Sequence, residues 1–85
     1  MPYFTYILQS EITETFYIGQ TNNLQDRLMR HNSNQNLATK NKGVWKIIFS
    51  KEFETRSEAV ALEKKLKSFK NKIYLQKWIR ENGVA

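Results

Sequence analysis

Two β-prone runs lie close together at the start of the chain with only a short polar stretch between them, and this limits how the chain can begin to fold. Tyr3 to Gln9 is β-branched and aromatic in character, and Phe16 to Gly19 resumes that character after Ser10 to Thr15. Such a pair reads as a hairpin with a longer loop. A third β-prone run, Val44 to Phe53, carries Trp45, Ile47, Ile48 and Phe49 but alternates only loosely.

Helical signals fill the rest of the chain. Asn22 and Asn23 offer N-cap oxygens, Asp26 sits in the first turn, and Leu24 and Leu28 repeat at helical spacing up to about His31. Asn32 to Gly43 is polar and aperiodic and reads as a loop able to face a ligand. Thr55 to Glu58 makes a capping box that opens a second helix through about Phe69, with Ala59, Leu62 and Leu66 on one stripe. Asn71 to Asn82 carries Tyr74, Trp78 and Ile79 and stops before Gly83, which defines a third helix. The order is β-β-α-β-α-α. Each amphipathic helix needs a sheet face or another helix to bury its stripe, so the expected class is α+β, a three-stranded sheet covered by helices.

At 85 residues the expectation is one domain, 1–85, whose function sits in a small core and its surface. Hydrophobic residues make up 40% of the chain, enough for a core without a covalent staple. The chain contains no cysteine, so disulfide and thiolate chemistry are excluded and any metal must be held by oxygen or by His31. The apolar run Tyr3 to Leu8 is too short for a membrane span and follows no basic segment, which suggests a cytoplasmic protein.

Fourteen Lys and Arg against eight Asp and Glu give a net charge of +6. The excess gathers in Arg27 to Lys46 and Lys64 to Lys77, a pattern that suits a polyanionic partner, although surplus lysine also serves solubility.

Several side chains have chemistry to offer. Arg27 and His31 stand four residues apart and project from one helix face, with Leu24 and Leu28 turned to the core. Arg27 suits a phosphate and His31 suits proton transfer, yet a solvated Arg beside a surface His is common on any helix. Tyr6 and Tyr17 lie in neighbouring strands and can share a sheet face, as ordinary strand aromatics also do. Gly19 can serve simply as the strand-to-helix turn. Glu63, beside the Leu62 and Leu66 stripe, can hold Mg²⁺ through one oxygen, or pair as an exposed helical carboxylate with Lys67 at i+4. There is no Gly-rich phosphate loop, no paired histidine for zinc and no specific Ser-His-Asp arrangement.

Tyr17-Ile18-Gly19, preceded by Phe4-Thr5-Tyr6 and followed by Leu24 to His31, resembles the GIY-YIG nuclease superfamily, in particular its small stand-alone bacterial members. The likeness continues through Trp45-Lys46-Ile47-Ile48 and Arg56 to Lys67, so it spans Tyr3 to about Ile79. It implies a three-stranded antiparallel sheet flanked by helices. It also implies roles: Tyr6 and Tyr17 as the motif tyrosines, Arg27 as the phosphate-holding arginine, His31 as a catalytic partner one turn later, and Glu63 as ligand of one Mg²⁺ or Mn²⁺ ion. The reaction implied is attack of water on a phosphodiester of DNA, or of RNA as the second option. Tyr17 and His31 compete for the role of general base, because a tyrosine left at its usual value near pH 10 needs help from a metal or cation.

Two positions depart from the family pattern. Phe4-Thr5-Tyr6 replaces Gly-Ile-Tyr, and Gln20 stands where repair-type members carry Lys. The C-terminal Asn found in some members has no secure match in Asn71 or Asn82. The expectation is a metal-dependent endonuclease acting on DNA in repair or processing, selective through substrate shape, a homodimer or a protein partner. Its alternative is a non-cleaving nucleic-acid-binding module in which Lys40, Lys42, Lys46 and the Lys64 to Lys72 cluster contact phosphates. A purely structural α+β protein leaves the joint placement of Tyr17, Arg27, His31 and Glu63 without explanation.

Overall fold

The computed structural model describes residues 2–33, 44–69 and 71–82. Its elements are β1 (Tyr3–Ser10), β2 (Phe16–Thr21), α1 (Leu24–Asn32), β3 (Trp45–Phe53), α2 (Arg56–Lys67) and α3 (Lys72–Asn82), in the order expected. The strands form one sheet in the order β2-β1-β3, and both pairs are antiparallel. Small shifts at the ends, such as β2 running on to Thr21 and α2 stopping at Lys67, follow from local bonding. The Ser68 N–H, for instance, donates to the Lys64 and Lys65 carbonyls and closes the helix.

The loose alternation of β3 has a cause. Ile7 pairs with Phe49 while Leu8 pairs with Ile47, so Ile48 is an extra residue at a β-bulge. Ile48 and Phe49 can then both pack on the same apolar cluster, which a regular strand forbids.

Alternation along the central strand β1 builds two cores. Ile7 and Phe49 meet Leu66 of α2 and Leu75 of α3. Tyr6, Leu8 and Trp45 pack against Leu24 and Leu28 of α1. Leu66 is fully buried, and truncating such a side chain to alanine typically costs about 2–5 kcal/mol.

The helix starts match the sequence signals. Of the two cap candidates on α1, Asn23 is the one used: its side chain accepts from the Asp26 N–H at 3.0 Å. Thr55 caps α2 by accepting from the Glu58 N–H, and its hydroxyl donates to Glu58 Oε1 at 2.9 Å.

Asn32 belongs to α1 and not to the loop expected from Asn32 to Gly43, most of which lies outside the described residues. It is the last residue of α1, and its side chain clamps the backbone of Trp45: Oδ1 accepts from the Trp45 N–H at 2.7 Å and Nδ2 donates to the Trp45 carbonyl at 3.2 Å. The clamp ties the end of α1 to the start of β3. Asn32→Ala removes both bonds and is expected to destabilise the fold by about 1–3 kcal/mol. Thermal denaturation should register this as a fall in Tm of roughly 5 °C or more.

Candidate active site

Alternate residues of a strand point to opposite faces, so Tyr6 leaves β1 on the side covered by α1. Its partner across the ladder is Gly19, and Leu8 faces Tyr17, which makes Tyr6 and Tyr17 diagonal neighbours on one face. Their ring centroids lie 6.3 Å apart.

Gly19 lies inside β2, and the strand-to-helix turn is not what requires it. A Cβ at this position would stand 2.7 Å from the Tyr6 hydroxyl oxygen, 2.9 Å from Tyr6 Cζ and 3.2 Å from Tyr17 Cε1. The Tyr6 ring therefore occupies the space that a side chain would fill.

Against the expectation of an outward-facing imidazole, His31 is 1% exposed. Its Nε2 is 3.3 Å from the Tyr6 hydroxyl, with the donor set by the imidazole tautomer, and its ring centroid is 4.4 Å from that of Tyr17. The reason is helical geometry. Positions 24, 27, 28 and 31 form one stripe at i, i+3, i+4 and i+7, so Arg27 and His31 share the core-facing side with Leu24 and Leu28.

Arg27 is half-buried on that stripe, and its charge reaches both Tyr6 and His31. Glu63 approaches from α2, and its charge also reaches Tyr6. One turn before Glu63, the Ala59 carbonyl accepts from the fully buried Thr5 hydroxyl at 2.6 Å, which pins α2 to β1 beside Tyr6. The Glu63 carboxylate is 19% exposed and pairs with Lys67 Nζ at 2.8 Å, the i+4 contact read from spacing. The structure thus gathers Tyr6, Tyr17, Arg27, His31 and Glu63. Lys46 is exposed on β3 next to Trp45, and Lys40 and Lys42 lie outside the described residues.

Burial sets the protonation states. It pushes the Tyr6 phenol well above its usual value, aided by Tyr17 and Glu63 and only partly opposed by Arg27. It pulls the His31 imidazole below its usual value, and Arg27 adds to the effect. At neutral pH Tyr6 is a phenol and His31 is uncharged.

A pH test follows from the direction of the His31 shift. An imidazole depressed in the native state stabilises the fold fully above its unfolded value, about pH 6.5, and loses that contribution as pH falls through the lower native value. Each unit of depression corresponds to about 1.4 kcal/mol. Wild-type Tm should therefore drop between pH 7 and pH 5 more steeply than that of His31→Gln.

Among the described residues no three His, Cys, Asp or Glu side chains gather as a metal cluster. The donor available is the hard carboxylate of Glu63, which fits a divalent ion bound mainly through water and phosphate oxygens, once Lys67 yields. Gln20, singled out in the sequence only for standing where repair-type members carry Lys, has its Oε1 buried with no hydrogen-bond partner among the described residues. Burial of an acceptor on an edge strand leaves no mark in sequence.

The sequence profile of the GIY-YIG catalytic domain matches residues 2–77. The UPF0213 protein YsiG of Lactococcus lactis subsp. lactis (strain IL1403) is 34% identical over 88 residues, covering 91% of this chain and 84% of that protein. The solution NMR structure of the UPF0213 protein BH0048 from Bacillus halodurans superposes with a TM-score of 0.63 over 98% of this chain and 87% of that one; at 21% identity it is similar in fold. No helix among the described residues is long and apolar enough to cross a membrane. Matched over nearly its whole length by the catalytic-domain profile, with the two motif tyrosines side by side in the sheet, the chain belongs to the GIY-YIG nuclease family.

Proposed function

We propose that this chain is a single-domain, divalent-metal-dependent endonuclease that hydrolyses phosphodiester bonds in DNA during repair or processing of structured DNA in the cytoplasm. The observation that carries the reading is convergence. The Tyr6 hydroxyl lies 3.3 Å from His31 and within electrostatic reach of Tyr17, Arg27 and Glu63, residues drawn from β1, β2, α1 and α2.

In this reading the oxygen of water forms a bond to phosphorus as the bond to the leaving oxygen breaks, and the water proton passes to the protein. Tyr17 is half-buried, so it orients the water, while His31, shielded from solvent but uncharged, stands behind it as the acceptor. The Arg27 guanidinium holds non-bridging oxygens and offsets the charge that builds on them. Tyr6 remains a phenol and steadies His31 by hydrogen bonding. Glu63 would hold the divalent ion, which supplies Lewis-acid stabilisation of the leaving oxygen when bound. In this reading selectivity comes from substrate shape, self-association or a protein partner, and RNA is the second substrate class.

One observation favours a second reading, a binding module that cuts little: Lys67 already neutralises Glu63 at 2.8 Å. The test is a panel of labelled linear, branched and single-stranded DNAs incubated with Mg²⁺ or Mn²⁺ and with a chelator. Cutting that requires the metal supports the nuclease. Salt-sensitive binding to every form with no cutting hands the case to the binding module.

A further inference from the structure

A cleft of about 490 Å³ opens between the edge strand β2 and helices α2 and α3. Phe16, Ile18, Leu66 and Phe69 wall it, and the exposed lysines Lys67 and Lys72 stand at its rim. Among the described residues no carboxylate lines it. It lies across β2 from the tyrosine pair, because Phe16 and Ile18 alternate along the strand with Tyr17 and Gly19. Lys67 joins the two places: it lines the cleft and its Nζ contacts Glu63 at 2.8 Å.

We propose that this cleft receives one unpaired base of the DNA strand being cut, stacked on Phe16, with Lys67 and Lys72 holding the flanking phosphates. The proposal rests on the nuclease reading and adds its substrate class: DNA with an unpaired nucleotide beside the scissile phosphate, such as an overhang or flap.

Three features select that occupant. The volume falls within the range of small-ligand sites and the walls are apolar and aromatic, which suits the flat face of a base. The charged residues described at the rim are both lysines, on a chain of net charge +6, which suits the phosphates on either side of that base. Lys72 Nζ already sits over the Phe16 ring, 5.4 Å from its centroid, so the ring face attracts a π partner or a cation, and a stacking base would release the ammonium to a phosphate. A base inside a duplex must first be unstacked and unpaired to enter, so continuous duplex is disfavoured.

Binding is measured on the full chain carrying Glu63→Gln, without metal, using a DNA hairpin with a 2-aminopurine overhang and the same hairpin made blunt. The overhang is expected to bind roughly tenfold more tightly and to lose 2-aminopurine fluorescence on stacking. Phe16→Leu keeps apolar bulk but removes the ring, and should remove most of the preference while blunt-hairpin binding stays unchanged; Lys72→Gln alters only an exposed side chain and should weaken overhang binding more than blunt-hairpin binding, so that the preference shrinks. Equal affinity for the two hairpins, or a preference that survives both substitutions, overturns the proposal. A preference that behaves as expected in a wild-type chain that never cuts removes the nuclease reading and leaves the base-binding cleft standing.

Discussion

Arg27→Ala should lower metal-dependent cleavage roughly 100- to 1,000-fold while the chain stays folded, since removing one preorganised donor to developing charge usually costs that much. Arg27 is half-buried, its charge reaches both Tyr6 and His31, and in the proposed mechanism it holds the phosphate. The substitution also removes one of the two influences that depress His31, so the acid limb of the pH-rate profile should move upward. Glu63→Gln should reduce cleavage by about 100-fold or more through loss of the metal ligand. Its effect on stability should be small, because the pair it breaks with Lys67 is largely exposed on the lysine side and such pairs contribute at most about 1 kcal/mol. Single-turnover cleavage with saturating enzyme reads both variants. If Arg27→Ala weakens binding and leaves the cutting rate of bound DNA intact, the arginine is a binding contact and the proposed transition-state role falls.

How much of this site was legible in the sequence depends on how local each cause is. Helix starts were legible because a cap and its acceptor sit three residues apart, as Asn23 with Asp26 and Thr55 with Glu58 do. The Glu63 to Lys67 pair was legible for the same reason. The bulge at Ile48 was not, because register depends on the partner strand, and it left only a broken alternation. The Asn32 clamp joins residues thirteen apart across residues that have no helical or strand pattern. The burial of His31 stands between these cases. Its stripe with Leu24 and Leu28 was visible, but the polar residue types argued for a solvated face, and only the tyrosines from the sheet supply the partner that makes burial tolerable. The family resemblance singled out the five residues that the fold brings together, whereas periodicity alone left each with an ordinary alternative.

Gly19 offers the sharpest test of that packing. Gly19→Ala should destabilise the fold by about 1–3 kcal/mol, the usual cost of overpacking, although alanine has no conformational penalty in a strand. The new Cβ meets Tyr6 at 2.7 and 2.9 Å, so the ring must move, and moving it stretches the contact with His31 that stands at 3.3 Å. Cleavage should fall further than stability alone explains, because the proposed water-orienting tyrosine also lies 3.2 Å from the added carbon. A double-mutant cycle separates crowding from any backbone effect. Tyr6→Phe removes the nearest atom, so Gly19→Ala should cost at least about 0.5 kcal/mol less in that background. If the cost is the same with and without the hydroxyl, the Tyr6 hydroxyl is not the atom that crowds Gly19, and its placement beside His31 loses its structural basis.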